Sequence, residues 1–309
     1  MIYTLTLNPA LDLELTVDNL SFNQVLRATK TRTDCGGKGF NVSRALASLG
    51  QKSTALGYVG GNTGKQLEET LNEMGIGTDF VQVCGETRTN ISILTDPASD
   101  YIKVNQPGPT IRPEEVDTLL QKIHALAKTG DYWVLSGSLP PGVTGDIYAR
   151  IIQVVQVKGC KAVLDTSGEP LHLGCKADPF MVKPNHEEAR QLTGVEIDSR
   201  AAACAAAKKI LRMGVSVVVI SLGKQGAILV DGKVCALANP PAVQEINPIG
   251  AGDALLAGLV WGLNQEMSIV EALRWAVASG AAAASLPGTG FGSLEQISQL
   301  EKEISLTSR

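Results

Sequence analysis

The sequence predicts an α/β fold in which a mostly parallel sheet carries helices on both faces. Three observations lead there. Short apolar, strand-like runs alternate with amphipathic helical stretches over most of the chain. The length of 309 residues allows one large core with a small appendage. A content of 44% hydrophobic and 19% charged residues is that of a globular protein and excludes disorder.

The elements follow in order. Residues 2–7 read as a strand that enters the core at once. After a glycine-rich run, Val42, Ala45, Leu46 and Leu49 share one face of a helix that Gly50 stops. Residues 53–59 read as a strand and 66–74 as a helix. In the helix predicted over 114–128, Val116, Leu119, Leu120, Ile123 and Leu126 form the buried stripe, and Pro113 suits its first turn. A strand at 132–136, a helix at 146–157 and strands at 162–165, 180–182 and 215–220 continue the alternation. Residues 227–230 and 233–237 form a hairpin around Asp231-Gly232, and the apolar run 254–263 is a buried helix too short to span a bilayer.

Two regions break the pattern. Leu11, Leu13, Leu15 and Val17 alternate in residues 11–33, as do Ile91, Ile93, Ile102 and Val104 in 87–105. Both are strand-rich inserts that must bury one face elsewhere, either as a small separate sheet or as edge strands of the main one. The expected division is a main domain of 1–10, 34–86 and 106–309, with a β lid of 11–33 and 87–105.

Composition limits the partners. A net charge of -4 gives no basic footprint for nucleic acid, so an anionic ligand must be held by local positive charge, for which Lys38, Arg88 and Lys103 are candidates. The six cysteines form no CxxC pair, and the three histidines make no ligand-spaced cluster with them, which argues against structural zinc. With no signal-like start and no apolar run of membrane length, the expectation is a cytoplasmic protein with reduced thiols and no membrane partner.

The densest motif is 247–258, where Gly250, Ala251, Gly252 and Asp253 open an apolar helix. Such a start can serve as an anion site, because free N–H groups and the helix dipole face phosphoryl oxygens that no bulky side chain keeps away. Taken alone it could equally be a plain glycine-rich helix start. A second glycine run, Cys35-Gly36-Gly37-Lys38-Gly39-Phe40-Asn41, also leads into a helix. It is not a Walker A loop, because Arg32 and Gly39 stand where a glycine and a Ser or Thr are required. Leu255 stands where a dinucleotide fingerprint needs its third glycine.

Together these segments resemble the paired GGKGxN and GAGD signatures of the PfkB (ribokinase-like) sugar kinases. Residues 4–12, 87–90, 136–142, 182–185 and 221–223 occur in family order, so the resemblance spans essentially the whole chain. It is similar to the hexose-phosphate branch, which includes 1-phosphofructokinase, tagatose-6-phosphate kinase and a minor 6-phosphofructokinase. The implied fold is a three-layer α/β/α sandwich with a β lid. The implied activity is ATP-dependent phosphorylation of a ketohexose monophosphate with Mg2+, fructose 1-phosphate being the first choice, in a homodimer joined through the lid. A sugar-phosphate sensor would lose the base, and Asp253 argues against it; an NAD enzyme lacks its fingerprint.

The resemblance also implies residue roles. Asp253 is the base, and the backbone of Gly250, Ala251 and Gly252 forms the anion hole. Asp12, Gly36, Gly37, Lys38, Asn41, Arg88, Asn90, Lys103 and Ser138 surround the sugar phosphate, with Arg27 reaching in from a neighbouring subunit. Asn41 could otherwise be a helix cap, and Lys103 and Arg27 solvated surface charges. Lys183, Asn185, Ser221, Gly223 and Gly226 fall to the nucleotide, and Glu188 of an NxxE motif orders water around magnesium. Gly288, in a Pro-Gly-Thr-Gly run, would close the adenine pocket or form a simple turn. The chain departs from the family pattern at Cys35, Phe40 and Ala254, of which Phe40 is expected to alter the width of the sugar pocket.

Overall fold

In a computed structural model of the chain, residues 1–95 and 100–308 are described; positions 96–99 of the expected 87–105 lid segment lie outside them. The chain runs through β1 (Ile2–Thr6), β2 (Ala10–Val17), β3 (Lys30–Gly36), α1 (Lys38–Ser48), β4 (Thr54–Val59), α2 (Gly61–Glu73), β5 (Gly77–Thr78), β6 (Val81–Gln82), β7 (Arg88–Thr95) and β8 (Tyr101–Val104). It continues through α3 (Pro113–Leu126), β9 (Tyr132–Ser136), α4 (Ile147–Val157), β10 (Lys161–Asp165), α5 (Gly168–Cys175), β11 (Met181–Val182), α6 (His186–Thr193) and α7 (Arg200–Leu211). Then come β12 (Val217–Ser221), β13 (Ala227–Val230), β14 (Cys235–Asn239), α8 (Ala251–Asn264), α9 (Ile269–Ala284), α10 (Leu294–Glu303) and β15 (Ser305–Ser308).

An 11-stranded sheet has the order β15-β14-β13-β12-β11-β10-β9-β1-β4-β5, with β6 also on β4. Its strands are parallel from β5 to β12 and antiparallel from there to β15. One face packs Leu5, Trp133, Leu135 and Leu164 under α3 to α7. The other packs Ile2, Val134, Val163 and Val219 under α1, α8, α9 and α10, while α2 covers Ala55 and Val59. These are the three layers expected from the alternation. The central strands are buried on both faces, which is why they read as continuous apolar runs.

The two inserts form a separate 4-stranded sheet of order β3-β2-β7-β8, so they are not edge strands of the main sheet. Asp12 pairs with Asn90 and Asp34, and Glu14 with Ser92 and Arg32, so one face is polar; Leu11, Leu13, Leu15, Ile91 and Ile93 occupy the other. β3 continues past Thr33 to Gly36, and only Gly37 separates it from α1.

Three sequence expectations need correction. The 66–74 helix begins earlier, at Gly61, where glycines hid the pattern. Phe40 does not border the sugar site; it is fully buried, 5.5 Å from the Phe80 ring, in the core under α2. Not all thiols are reduced: a disulfide joins Cys204 of α7 to Cys235 of β14, which lie 31 residues apart in sequence. The fold, not sequence spacing, brings that pair together, so counting CxxC motifs could not find it.

Candidate active site

Parallel strands deliver their C-terminal ends to one rim, where ligands bind in open α/β sheets. β1 leads there to Asn8, β9 to Gly137, β10 to Asp165, β11 to Lys183 and β12 to Ser221. Two helix N-termini face them. α1 docks on β1 through the Phe40 N–H, which donates to Thr6 Oγ1 at 3.2 Å. That approach needs Gly39, because a Cβ there would lie 2.5 Å from Thr6 Oγ1 and 2.7 Å from Leu5 O. α8 starts from Gly250, whose φ of 84° is left-handed and suits glycine.

The α8 start differs from expectation in one respect. The Ala251 N–H is bonded to Pro248 O at 3.2 Å, so it is not available to an anion. The N–H groups of Gly250 and Gly252 have no acceptor among the described residues and remain as donors.

Asp253, in the first turn of α8, is buried, and Asn41 Nδ2 donates to its Oδ2 at 2.8 Å. Asn41 is therefore not a helix cap; Gly37 holds that position. Burial, reinforced by the Asp165 carboxylate, pushes Asp253 up to about 6, against the opposing pull of Lys38, the Asn41 bond and Lys183. A base with this value is better matched to neutral pH than an ordinary aspartate.

Asp165 is a charged residue of the site that sequence reasoning missed. Its side chain is 1% exposed and ends β10, with Lys38 Nζ 3.2 Å from Oδ1 and Lys183 Nζ 3.3 Å from Oδ2. Burial alone would raise its pKa, but the two ammonium groups outweigh burial and hold it below the usual carboxylate range. For Lys38, burial is likewise outweighed, by the carboxylates of Asp165, Asp253 and Glu188, so its pKa is raised. Lys183, expected on the nucleotide, points at the anion site: its Nζ is 3.7 Å from where a Cβ on Gly252 would be. The available signal was a carboxylate closing the apolar run 162–164.

The lid supplies a second group. Asn90 Nδ2 donates to Asp12 Oδ1 at 2.8 Å. Gly36 makes room for Asp12, whose Oδ2 would be 2.4 Å from a Cβ there. Arg88 uses its fork inside the chain, Nη1 on Gln106 O and Nη2 on Asn8 O, both at 2.9 Å, while its buried Nε has no partner. Lys103 is exposed on β8 opposite Ser92, on the polar face that carries Asp12 and Asn90. Ser138 is exposed after β9, and Arg27 in the loop between β2 and β3. Lys38 belongs to the body cluster, apart from the lid cations with which it was grouped.

A cleft of about 570 Å³ opens beside the α8 start. Ser221, Gly223, Gly226, Ala251 and Gly252 line one side, and Pro240, Val243, Val277, Gly280 and Ala281 add an apolar wall not foreseen from sequence. Gly288 is not in its lining; its carbonyl accepts from Asn247 Nδ2 at 2.8 Å and it abuts Arg32. Asn185 and Glu188 form a reciprocal cap on α6, each side chain accepting the other's N–H at 2.8 Å. The NxxE pattern thus has a structural role, and Glu188 keeps only Oε1 free for water. Among the described residues no three His, Cys, Asp or Glu side chains are grouped to hold a metal ion.

Asp165→Ala is expected to destabilise the protein by about 3–5 kcal/mol in urea unfolding, because it leaves Lys183 buried without its counter-charge. Lys38→Met should cost much less, since Lys38 is 39% exposed. A wild-type urea midpoint for Asp165→Ala would show that the pair holds nothing together.

Residues 6–297 match the family model described as pfkB family carbohydrate kinase. The chain is 36% identical over 307 residues to the 1-phosphofructokinase of Bacillus subtilis, covering 99% of each. It is 32% identical over 308 residues to a tagatose-6-phosphate kinase of Staphylococcus epidermidis, covering 98% of each. The phosphofructokinase-2 from Escherichia coli in complex with fructose-6-phosphate has the same fold, with a TM-score of 0.90, 31% identity and 98% of both chains covered. The layered sheet is therefore the ribokinase-like one, and the chain belongs to the pfkB family of carbohydrate kinases.

Proposed function

We propose that the chain phosphorylates fructose 1-phosphate with ATP, giving fructose 1,6-bisphosphate and ADP. The observation that carries this reading is a buried carboxylate with a raised pKa, Asp253, beside the unpaired N–H groups of Gly250 and Gly252 and two buried or half-buried ammonium groups. The sugar hydroxyl attacks the γ-phosphorus and passes its proton to Asp253, while charge on the transferring group meets the two N–H donors, Lys38 and Lys183. Position matters more than basicity in a loose transition state, and the Asn41 bond fixes that position.

Asp12 and Asn90 accept and donate to sugar hydroxyls from the polar face of the lid, with Ser138 opposite. Gly36 and Gly37 act through their neighbours, since Asp12 and Thr6 fill the space beside them and Asp12 is thereby set at the α1 start, where the sugar binds. Arg88 Nε and Lys103 are the groups suited to the phosphate already on the sugar. ATP lies in the cleft, its base against the apolar wall and its phosphates toward Gly252, with Ser221, Gly223 and Gly226 along it; Lys183, whose Nζ is near Gly252, and Asn185 Nδ2 reach the phosphates from outside the cleft lining. When bound to the nucleotide, magnesium would neutralise phosphate charge; with no three acidic groups gathered to ligate an ion among the described residues, phosphates and waters would hold it, and Glu188 Oε1 would order those waters.

The four-stranded sheet serves as the lid, and its exposed apolar groups favour a homodimer. Phe22, Val25 and Tyr101 are 87%, 84% and 75% exposed, and Val104 55%. Arg27 lies in the same loop as Phe22 and Val25, where it could reach a partner's sugar phosphate. Cytoplasmic location follows from substrates too charged to cross a membrane. Tagatose 6-phosphate and fructose 6-phosphate are the alternative acceptors.

In an ATP-coupled assay, fructose 1-phosphate is expected to give a higher kcat/KM than tagatose 6-phosphate, fructose 6-phosphate or fructose. A 6-phosphate preference would change only the sugar, whereas a preference for free fructose would remove the phosphate-binding role of Arg88 and Lys103.

Asp253→Asn should lower kcat by about 10²-fold or more with little change in KM. In the wild type, kcat/KM should fall as pH drops through about 6. Stability has the opposite sense. The folded value lies above the unfolded one of about 3.9, so the folded state binds the proton more tightly and loses stability as pH rises between the two. Asp253→Asn should therefore have a higher thermal midpoint than wild type at pH 7, and a lower one would contradict the raised pKa.

Sedimentation at micromolar concentration should give a dimer that Val104→Glu converts to monomer. Arg27→Ala should raise the KM for the sugar phosphate in the dimer and leave it unchanged in a Val104→Glu background.

A further inference from the structure

Arg44 lies one turn beyond Asn41 on α1, its side chain only 12% exposed. Its guanidinium meets three separate parts of the chain. Nη1 donates to Thr289 Oγ1 and Nη2 to the Thr289 carbonyl, both at 3.2 Å, and its Cζ is 5.3 Å from the centre of the Phe291 ring. Nη2 is 3.8 Å from Asp34 Oδ1 on lid strand β3, where Arg32 Nη2 holds Oδ2 of the same carboxylate at 2.8 Å. Nη1 also lies 3.5 Å from Asn41 Oδ1.

The last contact has a chemical consequence. An asparagine amide is nearly symmetric in shape but donates from one end and accepts at the other. A guanidinium can only donate, so it selects Oδ1, which turns Nδ2 toward Asp253 Oδ2 at 2.8 Å. The flipped amide would set an oxygen against the carboxylate. On its other side, Phe291 comes within 3.7 Å of where a Cβ on Gly250 would stand, so the loop that Arg44 holds also backs the left-handed turn of the anion site.

We propose that Arg44 is a positioning residue that fixes the Asn41 amide in the orientation donating to Asp253, and that ties this orientation to the lid through Asp34 and to the anion site through Thr289 and Phe291. The role rests on Asp253 being the base. The charged groups facing Asp253 are Asp165 from β10, Lys38 from α1 and Lys183 after β11, and Arg44 faces Asp34 from β3.

The test compares kcat/KM against pH, with the best ketohexose phosphate as substrate, in wild type, Asn41→Ala, Arg44→Met and the double variant. Asn41→Ala should move the acid limb up by about one pH unit, because a donor to the charged form is lost. Arg44→Met should move it the same way and lower kcat about tenfold with the nucleotide KM nearly unchanged. The double variant should go no further than Asn41→Ala, since both act through one amide. If Arg44→Met does not fold, Arg44→Gln, which can still bond Thr289, is read in the same way. A limb that moves in Asn41→Ala but not in the Arg44 variants, with only a lower thermal midpoint in the latter, reduces Arg44 to a structural role and leaves Asp253 as the base. A limb that moves in neither overturns the base assignment and the role of Arg44 with it.

Discussion

The Asp165 carboxylate, 1% exposed between the ammonium groups of Lys38 and Lys183, is the interaction on which the site depends. Burying Asp165 and Lys183 where the central strands end is costly unless they satisfy one another, and the half-exposed Lys38 adds a second counter-charge. Here the arrangement leaves one net positive charge facing the α8 start, on a protein whose overall charge is -4. Without Asp165, two like charges would repel each other across the site. With it, one lysine comes from the α1 start and the other from the end of β11, so the triad also joins two layers of the fold.

Chain topology explains why so many of the candidate site residues share one rim. β9, β1 and β10 are neighbours in the sheet and all run the same way, so Gly137, Asn8 and Asp165 emerge side by side. The lid grows from this rim, because β2 begins at Ala10, directly after β1, and β7 lies parallel to it in register from Ala10 with Arg88. Arg88 closes that junction by bonding the carbonyls of Asn8 and Gln106, one on each side of the lid's connection to the body. The main sheet turns antiparallel after β12, and the loop following β14 joins α9 in forming the apolar wall of the cleft, with Pro240 and Val243 from the loop and Val277, Gly280 and Ala281 from the helix.

Much of this was legible in the sequence. The strand read at 132–136 is β9 without adjustment, and the alternating Leu11 to Val17 and Ile91 to Val104 patterns correctly marked a sheet with two unlike faces. The glycine-rich helix starts were legible because close approach leaves few alternatives to glycine. What escaped was whatever depends on contacts between distant segments. Asp165 carries no motif, and its meaning comes from lysines 127 and 18 positions away. The capping role of Glu188 escaped because a capping box and an NxxE ligand motif share the same spacing. Gly288 seemed to belong to the nucleotide, yet it packs against the lid residue Arg32. The Ala251 N–H was lost to Pro248 because the turn before a helix start can use its own donors.

The single-residue junction between β3 and α1 gives these features a common logic. β3 ends at Gly36 with the lid, α1 begins at Lys38, and Gly37 between them has a φ of 133°, which few other residues adopt. A lid that shifts cannot do so without pulling on the helix start that carries Lys38 and, one turn later, Asn41. Lys38 feels Asp165 and Asp253, and Asn41 bonds Asp253 directly, so the two α1 residues that touch this acidic pair follow the four-stranded sheet directly in the backbone. Were the sheet to close over a bound sugar, as the proposed function has it, the loss of water would strengthen the fields around Asp253, and the same motion would bear on Lys38 and Asn41. Asp253 is thereby linked to the four-stranded sheet through the Asn41 side chain and the short backbone path from α1 to β3.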